Sequence, residues 1–174
     1  SVASLFRKTA AEHPQERALF DAGGGPELTY AELDERTQLL ALAIHGLGVL
    51  SEESRLVGLL FHRSIEMVVA IFGVLKAGGA YIPIDPDFPA ARVAEILNEA
   101  GESVRMSLLQ TAEFARLCPA ETSAHLLLVA GANGQLYNLV GAAVHTEVGG
   151  ASSVDTLLEP TAKDLVYVMY TSGT

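Results

Sequence analysis

Apolar side chains recur along the chain at two spacings, and the alternation between these spacings predicts an α/β fold. Helical spacing is found in segments such as 30–47 and 89–100, whereas consecutive apolar residues such as "RLVGLLF" (55–61) are typical of a buried strand. Between residues 55 and 85 the order strand, helix, strand is completed. Such a βαβ unit should have parallel strands and a right-handed crossover.

Short polar motifs predict where the helices begin and end. Thr29 followed by Glu32 predicts a capping box at a helix start, and Ser64 can cap the next helix with Glu66 in its first turn. This second helix, "IEMVVAIFGVLK", is apolar nearly all round, so it should be packed on more than one side. The pair Gly78-Gly79 ends it, and "AYIPID" follows as a strand in which Pro83 indicates an edge position or a bulge.

The N-terminal thirty residues predict a helix and then a hairpin. The segment from Val2 to Glu12 has one apolar face that we assign to Val2, Leu5, Phe6, Thr9 and Ala10. "RALFD" and "ELTY" flank the turn sequence "AGGGP", which predicts a short β-hairpin.

Beyond Asp85 the alternation continues to the end of the chain. A helix from Pro89 to about Ala100 is followed by the strand "SVRMSLL", the short helix "TAEFARLC" and the buried strand "HLLLVA". The region from Gly131 to Ser153 shows no clear period and is predicted to be loop with one short strand at most. "DLVYVMY" then predicts a buried strand that runs into "TSGT".

Composition and charge narrow the class of protein. The 174 residues are 49% apolar, which is enough for one sizeable core. The formal net charge of −10 comes without a Lys/Arg cluster, so a nucleic-acid partner is not expected. Neither a long apolar run nor a basic leader is present, and the single Cys118 cannot form an internal disulfide. We therefore expect a cytoplasmic protein with no membrane partner.

The candidate chemistry lies in Thr171, Ser172, Gly173 and Thr174, directly after a predicted central strand. Ligands bind at the carboxyl ends of parallel strands, and three hydroxyls beside a glycine can form a neutral cradle for phosphate oxygens. Taken alone, such a sequence is more often a plain loop.

The other candidates favour structural interpretations. Asp85 or Asp87 could be Mg²⁺ ligands, but an Asp before a proline is more often a turn former. His62 is more often a packing or solvent residue than a ligand, and Cys118 has no nearby base and is expected to be inert. No metal site is predicted.

Three motifs carry a family resemblance. "LTYAEL", "LKAGGAYIPIDP" and "LVYVMYTSGT", in this order, resemble the first three core motifs of the adenylation domains of nonribosomal peptide synthetases, which are adenylate-forming enzymes. "FHRSIEMVVAIFGVLKAGG" extends the likeness, which covers almost the whole chain and is weakest from Gly131 to Ser153.

The resemblance implies a fold and an activity. The fold would be a parallel-sheet α/β/α layered structure, the first part of the large N-terminal subdomain, with a short N-terminal hairpin. The full domain would use Mg²⁺ and ATP to form an aminoacyl-adenylate, and then load the phosphopantetheine thiol of a carrier-protein domain. Thr171, Ser172, Gly173 and Thr174 match the start of its phosphate-binding loop and would contact the β- and γ-phosphates.

The resemblance also limits what to expect of this chain. Residues 1–174 would be the N-terminal portion of an AMP-binding domain that stops inside the phosphate-binding loop, before the family's lysine and second glycine. No catalytic residue can be assigned, and we expect the chain alone to be inactive. The alternatives are an acyl- or aryl-CoA ligase, which "GGAYIPIDP" disfavours, a non-catalytic remnant with a structural or interaction role, and an unrelated nucleotide-binding α/β domain.

Overall fold

A computed structural model of the chain describes residues 1–51, 54–101, 104–118, 126–130, 136–140 and 143–148. Its helices and strands are, in chain order, α1 (Val2–Glu12), β1 (Arg17–Phe20), β2 (Glu27–Thr29), α2 (Tyr30–Gly46), β3 (Leu56–Leu60), α3 (Ile65–Lys76), β4 (Ala80–Ile84), α4 (Ala90–Ala100), β5 (Val104–Leu109), a 3₁₀ helix (Ala112–Leu117), β6 (Leu126–Ala130), β7 (Leu136–Val140) and β8 (Ala143–Val148).

Within the described residues, the main sheet has six strands in the order β4-β3-β5-β6-β7-β8. Strands β4, β3, β5 and β6 run parallel to one another, β7 pairs antiparallel with β6, and β8 pairs antiparallel with β7. The predicted βαβ unit is therefore confirmed as β3-α3-β4. Among the described strands β4 pairs on one side only, which agrees with Pro83 at an edge position.

Helices cover both faces of the parallel strands, so the predicted α/β/α layering is confirmed. Side chains alternate along a strand. Val57 and Leu59 of β3 therefore pack under α1, α2 and α3, whereas Leu60 packs on the other face with α4 and the 3₁₀ helix. The α4 contribution consists of Val93, Ile96, Leu97 and Ala100.

Local signals at the N-terminal end are largely confirmed. Strands β1 and β2 form the predicted antiparallel hairpin. Thr29 Oγ1 accepts from the backbone N–H of Glu32 at 3.3 Å, and the Glu32 carboxylate accepts from the backbone N–H of Thr29 at 2.8 Å, which is the predicted capping box. These hydrogen bonds from the Thr29 backbone and hydroxyl lower the pKa of Glu32.

The buried face of α1 differs from the prediction. Ala3, Phe6 and Ala10 are buried, whereas Val2 and Leu5 are 48% and 67% exposed. The apolar pattern was wide enough to allow several orientations of the helix. The Phe6 ring, 4.5 Å from that of Phe72 on α3, fixes the one observed.

Helices α2 and α3 pack closely and enclose a lysine. A Cβ on Gly73 would lie 2.5 Å from Cδ2 of Leu40, so the helices approach at a residue without a side chain. One turn on, Lys76 is 1% exposed, and its Nζ donates to Oδ1 of Asp34 at 2.7 Å, to the Asp34 carbonyl at 3.1 Å and to Oγ1 of Thr37 at 2.8 Å. The ammonium also lies 5.1 Å from the Phe6 ring centroid.

The prediction for Gly131 to Ser153 was wrong. This region contains two strands, β7 and β8, which pair with each other and join β6 in an antiparallel arrangement. Glycine and asparagine hid the pattern, and the hydrogen bonds that make these segments strands come from a neighbouring strand rather than from local sequence. The predicted strand "DLVYVMY" lies outside the described residues.

Candidate functional site

The carboxyl ends of the parallel strands form the edge where an α/β sheet binds ligands. The chain leaves β3 through α3 to reach β4 on one side, and leaves β5 through the 3₁₀ helix to reach β6 on the other. These opposite directions make the boundary between β3 and β5 a topological switch point, and doubly wound sheets form a crevice beyond the carboxyl ends of the strands at that point.

Gln110 bridges this crevice. Its backbone N–H donates to the Leu60 carbonyl at 3.1 Å, which extends the β3-β5 ladder by one residue. Its Oε1 accepts from the backbone N–H of His62 at 3.0 Å, and its Nε2 lies 3.4 Å from Oγ of Ser64. The same Ser64 hydroxyl accepts from the backbone N–H of Met67 at 3.1 Å and caps α3 as predicted. Gln110 thus joins the carboxyl ends of β3 and β5 to the N-terminus of α3.

The sequence alone did not reveal this bridge. Gln110 is an ordinary polar residue at the end of a strand, and its partners lie 48 and 46 positions earlier in the chain. If β3 and β5 had been known to be adjacent and parallel, the contact could have been predicted, because a polar side chain directly after β5 then faces the loop after β3.

A second group of polar residues lies at the ends of β3 and β4. His62 follows β3, Asp85 and Asp87 follow β4, and one ligand atom from each of the three lies within 4.8 Å of the other two. All three residues are exposed. The sequence indicated each of these three residues as a separate candidate, and the parallel pairing of β3 with β4 brings them close together.

The turn after β4 forms as predicted. Oδ1 of Asp85 accepts from the backbone N–H of Asp87 at 3.0 Å, and the Asp85 carbonyl accepts from Phe88 N–H at 3.1 Å. The His62 ring packs edge-on against Phe114 of the 3₁₀ helix, with ring centroids 5.4 Å apart and an interplanar angle of 84°. This ring contact agrees with the expectation that His62 is a packing or solvent residue, and the residue is exposed.

Two further titratable groups, the buried Lys76 and the partly buried Cys118, have shifted pKa values. Burial lowers the pKa of Lys76, and the Asp34 carboxylate offsets part of that effect. Burial raises the pKa of Cys118 to about 11, so the thiol stays protonated near neutral pH and is a weak nucleophile. The inert role expected for Cys118 agrees with this environment.

The predicted phosphate-binding residues Thr171, Ser172, Gly173 and Thr174 lie outside the described residues. Their contact with ATP phosphates therefore stays a prediction. In the part of the chain that the structure describes, no helix combines the length and apolarity needed to span a membrane.

Comparison with known proteins gives whole-chain matches. The family model described as AMP-binding enzyme matches residues 6–174. Tyrocidine synthase 2 of Brevibacillus parabrevis is 36% identical over 100% of this chain, and tyrocidine synthase 3 of the same organism is 38% identical over 98%. The chain spans only 4% and 2% of the length of these two relatives.

Solved structures agree with the sequence matches. The nonribosomal peptide synthetase FmoA3 (S1046A), in a form bound to alpha-methyl-L-serine-AMP, has a TM-score of 0.73 and 29% identity, covering 98% of this chain and 17% of that one. Its AMPPNP-bound form has a TM-score of 0.70 at 26% identity, again over 98% of this chain, and 16% of that one. The N-terminal subdomain of Klebsiella oxytoca NpsA, at 21% identity and a TM-score of 0.71, shares the fold. The chain belongs to the AMP-binding enzyme family and matches the N-terminal part of a nonribosomal peptide synthetase adenylation domain.

Proposed function

We propose that this chain is part of an enzyme that activates an amino acid with Mg²⁺ and ATP and passes the aminoacyl group to a carrier-protein thiol. The observation that carries the proposal is the family match over residues 6–174, together with likeness to a synthetase structure bound to an amino acid joined to AMP. The similarity to two tyrocidine synthases supports an amino acid rather than another carboxylic acid as substrate.

The reaction would join the carboxylate of the amino acid to the α-phosphorus of ATP. One carboxylate oxygen forms the new O–P bond, the bond between the α-phosphorus and its bridging oxygen breaks, and pyrophosphate leaves. Attack then comes from the carrier thiolate at the carbonyl carbon, which releases AMP. Such steps depend on positioning and on stabilising charge more than on a protein acid or base.

Thr171, Ser172, Gly173 and Thr174 are the proposed contacts to the β- and γ-phosphates. A turn of backbone N–H groups with three hydroxyls can donate to phosphate oxygens without a fixed positive charge. Mg²⁺ would enter the site with ATP and would supply positive charge that neutralises the phosphates, since it binds in such sites mainly through substrate oxygens.

The test is amino-acid-dependent exchange of pyrophosphate into ATP by the protein that carries this chain. We expect exchange with one or a few of the twenty amino acids, and a loss of about tenfold or more in Thr171→Val, since loss of one preorganised donor costs at least that much. Thr161→Val is a matched control, because it removes a hydroxyl ten positions before the proposed loop. Activation of aryl or fatty acids with transfer to coenzyme A would contradict the proposed substrate class, and absence of Mg-ATP binding by calorimetry would contradict the proposal as a whole.

A further inference from the structure

His62, Asp85 and Asp87 place a nitrogen and two oxygen ligands around one point. Their ligand atoms are mutually within 4.8 Å although the residues come from the ends of two different strands. All three side chains are exposed, so an ion from solvent can reach them directly. The cluster is separate in sequence from Thr171–Thr174, the residues proposed to contact the nucleotide.

Two other segments contact His62, one at its backbone and one at its ring. Gln110 accepts the backbone N–H of His62 at 3.0 Å, and the ring edge packs against Phe114. The turn after β4 positions the two carboxylates. The hydrogen bond of this turn joins Oδ1 of Asp85 to the backbone N–H of Asp87. Oδ2 of Asp85 and both carboxylate oxygens of Asp87 take no part in that hydrogen bond. Preorganised ligands lose less side-chain entropy when a ligand binds.

The donor set selects among divalent ions. Mg²⁺ and Ca²⁺ prefer oxygen ligands throughout, whereas imidazole with carboxylates suits Zn²⁺ and its first-row neighbours. Three protein ligands with water in the fourth position form a common zinc arrangement. With bonds of about 2.1 Å, tetrahedral ligand atoms lie about 3.4 Å apart, so exposed side chains would move by about 1 Å to close around the ion.

We propose that His62, Asp85 and Asp87 bind a first-row divalent transition-metal ion, with Zn²⁺ as the expected occupant. Two carboxylates neutralise the double positive charge of the ion, and the chain's net charge of −10 favours cations near its surface. The ion would link the loops after β3 and β4, beside the crevice that Gln110 bridges.

The test is titration of the folded chain with Zn²⁺ in the presence of excess Mg²⁺, followed by calorimetry, with Co²⁺ absorption as a second readout. We expect one equivalent to bind. His62→Gln should weaken it at least about tenfold, since even loss of an outer partner of a metal ligand costs that much. Asp87→Asn should do the same and leaves the turn intact, because that residue enters the turn through its backbone N–H.

His13→Gln is the matched control. His13 is also exposed and its Nδ1 lies 3.0 Å from a carboxylate oxygen of Glu16, but this pair has no third ligand in the part of the chain that the structure describes. The proposal is overturned if His62→Gln and Asp87→Asn bind Zn²⁺ as tightly as the unchanged chain. It is overturned equally if Mg²⁺ competes with Zn²⁺ on equal terms, or if only His13→Gln weakens binding.

Discussion

The buried ion pair between Lys76 and Asp34 predicts an asymmetry between its two partners. Lys76 is 1% exposed, whereas the side chain of Asp34 is 37% exposed. Removing the carboxylate with Asp34→Asn leaves an ammonium that cannot reach water, whereas removing the ammonium with Lys76→Met leaves a carboxylate that can be rehydrated. We therefore expect Asp34→Asn to be the more destabilising change.

The magnitudes follow from the contacts. Removing one partner of a fully buried pair costs about 3–5 kcal/mol, but the exposed side of Asp34 screens this pair, and Thr37 still accepts from Lys76. We expect Asp34→Asn to lower the free energy of unfolding by about 2 kcal/mol. Lys76→Met keeps most of the buried volume, and Thr37 retains its hydrogen bond to the Leu33 carbonyl, so its cost should stay within about 1 kcal/mol.

The assay is urea unfolding of the single and double variants, followed by circular dichroism. Glu95→Gln is the matched control, since it removes a carboxylate from an exposed pair with Arg92 at 3.0 Å and should change stability by less than about 0.5 kcal/mol. In the Lys76→Met background, Asp34→Asn should have little effect. A larger loss in Lys76→Met than in Asp34→Asn would refute the reasoning.

Two further predictions concern α2 and α3, the helices that carry Asp34 and Lys76. Gly73→Ala should lower the free energy of unfolding by about 1–2 kcal/mol, because overpacking against Leu40 outweighs the gain of about 1 kcal/mol in helix propensity, and the loss should be smaller in a Leu40→Ala background. Because burial lowers the pKa of Lys76, the unfolded chain binds more protons between that lowered pKa and about 10.4, so the contribution of this lysine to stability should rise with pH there. Cys118 acts in the opposite direction, since its raised pKa of about 11 makes its contribution fall above about 8.5. The difference between the unchanged chain and Lys76→Met, which share Cys118, isolates the lysine, and a flat difference would contradict the assigned direction.

Local patterns predicted most of the described elements. The capping box at Thr29, the N-cap at Ser64 and the Gly78-Gly79 pair after α3 marked helix ends within a residue or two, because they satisfy backbone groups close in sequence. Strands β7 and β8 were missed although they are consecutive in the chain and pair with each other, because their glycine- and asparagine-containing segment shows no clear apolar alternation.

The candidate functional site also divides into features that the sequence indicates and contacts that only the structure shows. The sequence could mark Asp85 as a turn former and Thr171–Thr174 as candidate phosphate contacts, because both depend on residue type and position after a strand. It could not show that Gln110 joins the end of β3 to the start of α3. Nor could it show that His62 lies close to Asp85 and Asp87, or that Lys76 is buried against Asp34.

The sequence by itself therefore determined the α/β class, the helix boundaries and the family, because periodicity, capping and motif order are local properties of the chain. The tertiary structure decided which face of α1 is buried, which strands pair and which polar groups meet at the carboxyl edge of the sheet. The physical reason is that strand pairing and helix packing join residues tens of positions apart. Only the folded arrangement determines which of these contacts satisfy one another.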